Sequence, residues 1–166
     1  MIVRNIAVIF CFYFRTFLTL KYYNMKDNKL NVSKTLLDKY KTGGNNSSNI
    51  KGEFASVLLQ SVIQVHMYHL MSPSYAQHMA LGGFYSEMPD LLDSIVETLQ
   101  CDGKISGYKS TLTFDTSYNP VGYLNGLKND VISMRESVST KTNFMNQTDA
   151  ILDLIDTTLY KLKELK

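Results

Sequence analysis

Residues 66–97 read HMYHLMSPSYAQHMALGGFYSEMPDLLDSIVE, and this stretch decides the fold because it holds the end of one helical pattern, a turn and a second helical pattern. The first pattern begins at Glu53 and repeats apolar side chains at steps of three and four residues, as an amphipathic helix does. Ser72-Pro73-Ser74 ends it, because proline inside a helix loses a hydrogen bond and clashes with the preceding turn. The second pattern runs from Tyr75 to Gln100. The sequence therefore predicts two long helices joined by a tight turn.

A second pair of helices is predicted near the C-terminus. Residues 104–119 lack a sustained period and are rich in Ser, Thr and Gly, so we expect a long connection there, with a short extended piece at 110–114. Asn119-Pro120 supplies an N-cap and a first-turn proline for a third helix that ends near Val138. A fourth helix is expected from about Asn146 to Leu165. This order indicates an all-α, ferritin-like four-helix bundle with one long crossover between helices 2 and 3.

The chain divides by charge into a basic extension and an acidic body. Residues 1–52 carry nine Lys or Arg against two acidic residues, whereas residues 53–166 carry eight against thirteen. We therefore predict one domain at 51–166 preceded by an apolar, then basic, flexible N-terminal extension at 1–50. Such an extension is attracted to polyanions such as nucleic acid or an anionic membrane surface. The alternative is a tail that only keeps the protein in solution.

The first 24 residues have three interpretations. Their uninterrupted apolar run ends at Arg15 and is shorter than the ~20 residues that span a bilayer. The interpretation that we favour is translation from Met25, which leaves these residues upstream of the true start. A membrane anchor ranks second. A signal peptide ranks third, because no small-residue cleavage site follows the apolar run. The two cysteines, Cys11 and Cys101, have neither disulfide-framework nor zinc-finger spacing, which favours a cytoplasmic protein.

Four candidate metal ligands lie in the stretch quoted above: His66, His78, Asp93 and Glu97. His66 and His78 are each six residues from Ser72, so the two imidazoles are expected to face one another across the helical hairpin. Asp93 and Glu97 are one helical turn apart and share a face. Asp93, however, lies fifteen residues beyond His78, which is about 22 Å along a helix. One chain cannot close this site.

Two copies of the chain can close it. If two such helices pair antiparallel about a two-fold axis near residues 85–87, His78 of one copy meets Asp93 and Glu97 of the other, giving two equivalent sites. Imidazole and carboxylate ligands together suit iron. Taken singly, a helical histidine is more often structural and a surface carboxylate pair is more often solvated. His69 has the same two interpretations, as an outer-shell partner or as a residue filling an interface.

The order His, twelve residues, His, fifteen residues, Asp, four residues, Glu resembles the ferroxidase signature of the Dps family, the DNA-binding proteins from starved cells or miniferritins. Phe84-Tyr85-Ser86-Glu87 and Asp93-Ser94-Ile95-Val96-Glu97 are similar to that family's second helix. The resemblance covers about residues 53–100. Many members have a further acidic ligand at the position of Gly82 and a tryptophan at the position of Met67.

The resemblance implies a ferritin-like bundle assembled from two-fold dimers into a hollow dodecamer. It implies iron ligation by His66, His78, Asp93 and Glu97 at di-iron or mono-iron sites between subunits. Such proteins oxidise Fe(II), preferably with hydrogen peroxide, store the ferric product and act in oxidative stress. Many bind DNA non-specifically through a basic arm and associate with the nucleoid, which the extension at 1–50 would allow here. The alternative is a ferritin-like assembly or DNA-associated protein without ferroxidase turnover.

Overall fold

A computed structural model describes residues 47–165 of the protein, and its side chains from residue 49. Four helices make up this part of the chain: α1 (Ser47–Met71), α2 (Tyr75–Gln100), α3 (Pro120–Val138) and α4 (Thr142–Glu164). The described residues contain no strand, so the all-α prediction is confirmed. The described residues lie within one compact unit, Asn45–Lys166. The basic extension, apart from its last residues, lies outside the described residues.

Two helices begin earlier than the sequence predicts, and in each case a buried side chain explains the extra turn. α1 starts at Ser47 rather than Glu53 and thereby buries Ile50, which is 7% exposed. α4 starts at Thr142 rather than Asn146 and places Phe144 in the core, where its ring lies 5.7 Å from that of Phe54. Aromatic rings at this separation add to the stabilisation from burial alone.

The predicted N-terminal caps of the second and third helices are present. The Ser74 hydroxyl accepts a hydrogen bond from the Gln77 amide at 3.3 Å and caps α2. At the start of α3, the Asn119 side chain accepts from the Gly122 amide at 3.1 Å, with Pro120 in the first turn. α2 runs without interruption through Pro89. The helical rise can therefore be applied along its whole length.

The four helices form a bundle in which each helix packs mainly against two others. α1 lies beside α2 and α3, and α4 lies beside α2 and α3. Two ion pairs, Lys128–Asp156 at 2.6 Å and Arg135–Asp149 at 2.9 Å, set an antiparallel register between α3 and α4. The hydrophobic side chains with no exposed surface form the centre of the core: Phe54, Ala55, Leu58, Val65, Tyr68, Leu81, Phe84, Met88, Ile95, Leu124, Val131, Phe144, Ile151 and Ile155.

The connection between α2 and α3, residues 101–119, is held against one side of α1. Ser56 accepts a hydrogen bond from the Lys109 amide at 2.9 Å, and Gln60 donates to the Thr113 carbonyl. One turn further, Gln64 pairs with the main chain of Asp115, donating at 2.9 Å and accepting at 2.7 Å. The connection thus runs in the same direction as α1.

Close approach at the start of this connection depends on glycine. Gly107 has φ +80° and lies so near α1 that a Cβ there would be 2.5 Å from Asn49 Cα. Gly52 is its counterpart on α1, because a Cβ there would overlap the main chain of the connection. The two glycines let the connection lie directly on the helix before the hydrogen bonds to Ser56 and Gln64 hold it there.

Candidate functional site

All three histidines of the chain gather with one tyrosine at the turn end of the α1–α2 hairpin. The His69 and His78 rings stack with centroids 3.6 Å apart and planes 29° apart. The His66 ring stacks on Tyr85 at 4.2 Å and 14°. His69 links the two pairs, with ring centroids 6.0 Å from His66 and 5.1 Å from Tyr85.

The structure corrects the predicted facing of His66 and His78. His78 stacks on His69, and the His66 ring lies on Tyr85 instead. The prediction centred the hairpin on Ser72. α1 ends at Met71 and α2 begins at Tyr75, so the midpoint between the helix ends is Pro73 rather than Ser72, and the His69–His78 contact is centred between Pro73 and Ser74. That shift moves the residue opposite His78 from position 66 to position 69.

Hydrogen bonds fix which nitrogen of each stacked ring carries the proton. His69 Nδ1 lies 2.8 Å from the His78 carbonyl oxygen, and His78 Nδ1 lies 3.1 Å from the His69 carbonyl oxygen. A carbonyl only accepts, so both Nδ1 atoms donate, and in the neutral rings both Nε2 atoms are without a proton. Metal-binding histidines are commonly oriented in this way, with one nitrogen donating to a carbonyl and the other free for the ion. His78 therefore fits the role of a metal ligand.

The two carboxylates predicted to join the histidines are elsewhere on the surface. Asp93 and Glu97 are exposed and lie one turn apart on α2. Because α2 is continuous, His78 and Asp93 are separated by about 22 Å along its axis. Within residues 47–165, no three His, Cys, Asp or Glu side chains are close enough together to hold a metal ion. The donor set fits iron only if a second chain supplies the carboxylates.

The interior of the bundle offers no alternative metal site among the described residues. Its buried polar side chains are neutral: Ser56, Ser61, Gln64, Thr148 and Thr158. Tyr68 is also fully buried, and its hydroxyl has no hydrogen-bond partner among the described residues. Burial, with a smaller effect from Asp115, raises the pKa of Tyr68, so this hydroxyl stays protonated at neutral pH. Carboxylates and imidazoles in this part of the chain are confined to the surface or to half-buried positions.

The sequence analysis did not predict that the His69 ring lies directly beside Gly82. A Cβ at position 82 would lie 3.3 Å from both Cε1 and Nδ1 of His69, so the absence of a side chain there makes room for the imidazole. The adjacent Gly83 has nothing within 4 Å in the same direction. His69 lies four residues before Pro73 and His78 five residues after it, and this nearly equal spacing is the sequence signal that could have revealed their contact.

The face of the hairpin that carries His66 is apolar and exposed. Of the ten large apolar side chains exposed between residues 49 and 165, six lie on α1 and α2, near the turn or along the outer side of α1: Leu59, Ile63, Leu70, Met71, Tyr75 and Met79. Tyr75 is 79% exposed and Leu70 73%. Large contiguous apolar patches on soluble proteins commonly mark interaction surfaces.

Within the described part of the chain, no helix is long and apolar enough to cross a membrane. Comparison with curated proteins gave no match, and comparison with solved structures gave none either. Residues 69–162, which include His69, His78, Asp93 and Glu97 but exclude His66, match the sequence profile of a family described as a family of unknown function, DUF5856. This match spans more than half of the chain, and the protein therefore belongs to the DUF5856 family.

Proposed function

We propose that the protein is a Dps-like, iron-binding homo-oligomer that oxidises Fe(II), with hydrogen peroxide as the oxidant, and stores the ferric product. Iron is held between two chains, by His66 and His78 of one and by Asp93 and Glu97 of the other. The observation that carries this proposal is the orientation of His78, whose unprotonated Nε2 has the arrangement of a metal ligand. Its carboxylate partners lie on the same helix but beyond the reach of one chain.

The outer face of α2 supports the pairing of two chains. Helical spacing aligns five exposed residues along it: Tyr75, Met79, Ser86, Asp93 and Glu97. Met79 and Asp93 are each seven residues from Ser86, and Tyr75 and Glu97 are each eleven. An antiparallel second copy centred on Ser86 therefore brings Met79 level with Asp93 of the partner subunit. His78 adjoins Met79 in the sequence but points about 100° away from it around the helix, so the proposal requires His78 to reach those carboxylates from the α1 side of this face.

The small side chain at the middle of this face, Ser86, would allow the two helices to approach closely. Ser86 is exposed and has a short side chain, whereas the exposed Tyr75 and Met79 lie toward the turn end. Gly82 does not add to this gap, because the space beside it holds the His69 ring. Pairing would cover these apolar side chains and the adjoining apolar surface of α1. A two-fold dimer of this kind contains two equivalent iron sites.

The chemistry follows from the ligand set. Imidazole nitrogens and carboxylate oxygens bind both Fe(II) and Fe(III). In the overall reaction one hydrogen peroxide molecule accepts one electron from each of two Fe(II) ions and, with two protons, leaves as two water molecules. The carboxylates neutralise part of the charge that iron gains on oxidation. Their position on a shared surface would allow the ferric product to move away from the site.

The connectivity is consistent with a ferritin-like bundle. Because the connection of residues 101–119 runs along α1, it returns the chain to the hairpin-turn end before α3 begins. Neighbouring helices are then antiparallel throughout the bundle. A dodecameric cage and non-specific DNA binding through the basic extension at 1–50 are further parts of this proposal. They follow from the resemblance and from the charge of that segment.

The second candidate is a ferritin-like assembly that does not turn iron over. Gly82 favours it, because the space next to this residue holds the His69 ring rather than a carboxylate. Two measurements on one sample separate the candidates, native mass and iron content after exposure to Fe(II). A large assembly that gains no iron supports the second candidate, whereas an assembly that accumulates iron supports the first.

The ferroxidase test is an anaerobic Fe(II) titration followed by a pulse of hydrogen peroxide. The wild type should show a rise in ferric absorbance that is lost in His78→Ala and in Asp93→Ala. Glu136→Ala, which removes an exposed carboxylate from α3, is the matched control and should behave as the wild type. An undiminished rise in both ligand variants would refute the assignment of these residues.

A further inference from the structure

We propose that His69 is a positioning residue for His78. The His69 imidazole holds the His78 ring in the orientation and tautomer needed to bind a metal ion. This inference rests on the proposed iron site. It concerns a residue that the ligand spacing does not include, because His69 falls between the predicted ligands His66 and His78.

Two contacts act on His78 from the same residue. The main-chain carbonyl of His69 accepts a hydrogen bond from His78 Nδ1 at 3.1 Å, and the His69 ring lies against the His78 ring at 3.6 Å. Rotation of the His78 ring about its last side-chain bond would break the hydrogen bond and lose the stacking together. A neutral histidine in water favours a proton on Nε2, the nitrogen needed for the metal. The paired contacts therefore oppose the preference of the free side chain.

His69 is itself held in place from two sides. Its Nδ1 donates to the His78 carbonyl at 2.8 Å, which makes the arrangement reciprocal between α1 and α2. Gly82 provides the space for its ring, since a Cβ there would approach Cε1 and Nδ1 to 3.3 Å. Tyr85 contacts it edge to face at 5.1 Å. The His69 ring is thus fixed well enough to fix its neighbour.

The alternative explanation is that the pair only ties the two helices together. A purely structural role predicts loss of stability when His69 is changed, without a specific effect on the His78 nitrogens or on metal binding. A positioning role predicts both of those effects in protein that remains folded. Residues that orient metal ligands typically change metal affinity by about 10- to 100-fold when they are removed.

The test uses the full chain with His69→Ala and His69→Phe. Phenylalanine keeps a flat ring against His78 and leaves the main-chain carbonyl in place, whereas alanine removes the ring. Histidine-selective ¹⁵N labelling gives the protonation of Nδ1 and Nε2 for only three residues. We expect His78 to carry its proton on Nδ1 in the wild type and in His69→Phe, and to shift toward Nε2 in His69→Ala. Co(II) affinity should fall about tenfold or more in His69→Ala and much less in His69→Phe.

Gly82→Ala and Gly83→Ala form a second, milder pair. Both replace a helical glycine with a better helix former, so their effects on helix stability are similar. Only the first forces the His69 ring to move. Gly82→Ala should lower Co(II) affinity and disturb the His78 spectrum, and Gly83→Ala should leave both unchanged.

The possible failures are distinguishable. A wild type that binds no Co(II) or Fe(II) would overturn the proposed iron site. A wild type that binds metal, with unchanged affinity and an unchanged His78 tautomer in folded His69→Ala, would overturn the positioning role alone.

Discussion

A mixture of two inactive variants should recover activity if the iron site is shared between chains. His78→Ala removes the imidazole from both sites of a dimer, and Asp93→Ala removes a carboxylate from both. The two residues are about 22 Å apart along one continuous helix, so within a chain they cannot belong to one site. In a mixed dimer, the Asp93→Ala chain supplies His78, and the His78→Ala chain supplies Asp93. One complete site is restored, and the other lacks both ligands.

The expected recovery follows from this geometry. Equal amounts of the two variants, after free exchange, give mixed pairs in about half of the dimers. Each mixed pair has one complete site of two, so the mixture should regain about one quarter of the wild-type activity. The assay is the initial rate of ferric absorbance after a peroxide pulse, at equal total protein. Differently tagged chains and native mass spectrometry would establish that mixed dimers have formed.

The matched control mixes His78→Ala with His66→Ala. These two residues are proposed to serve the same site from the same chain, so both sites of every mixed dimer still lack one imidazole. No recovery is expected. Absence of recovery in the first mixture, with mixed dimers present, would refute the shared site. Equal recovery in both mixtures would refute the assignment of His66 and His78 to the same iron site from the same chain.

Three further outcomes are expected. Gln64→Ala removes both hydrogen bonds to the Asp115 main chain and should lower the free energy of unfolding by about 2–3 kcal/mol, measured by urea denaturation. An unchanged urea midpoint would show that these hydrogen bonds do not stabilise the packing of residues 101–119 against α1. Burial, and next the neighbouring Tyr68, raises the pKa of Tyr123, so this residue's contribution to stability is intact below about pH 10 and is lost as the pH rises further. Tyr123→Phe should therefore reduce alkaline unfolding, whereas the exposed Tyr160→Phe should not. DNA binding, measured by fluorescence anisotropy, should weaken steeply with salt and disappear when residues 1–50 are deleted. Binding that survives the deletion would exclude the basic extension as its source.

The helices were predictable because each carries its own local signals. Ser74 and Asn119 cap α2 and α3 as their residue types indicate, and Pro73 separates the first two helices. The starts of α1 and α4 were less predictable, because Ile50 and Phe144 are buried by partners distant in the sequence. Periodicity reports which face of a helix is apolar. It does not report how far a neighbouring helix extends to cover an additional turn.

The spacing of the candidate ligands along α2 was predictable, whereas the predicted contact of His66 with His78 across the hairpin was wrong. The separation of His78 from Asp93 and Glu97 depends only on helical rise, so the sequence sufficed to show that one chain cannot unite them. The partner of His78 depends on the residues that form the turn. A shift of about one and a half residues in the hairpin centre exchanges His66 for His69. The space that Gly82 leaves for the His69 ring could not be predicted for the same reason, because His69 lies on another helix.

The distribution of polar and apolar groups reinforces the case for a second chain. Among the described residues, the core holds no carboxylate or imidazole, and the candidate ligands lie on the outer side of α2 or at its contact with α1. The same side carries Tyr75 and Met79, which a lone chain would leave in water. In the proposed dimer, one surface centred near Ser86 would cover these side chains and complete the ligand set. An antiparallel copy of α2 would do both with one contact, whereas an unrelated partner would have to supply its own carboxylates opposite His78.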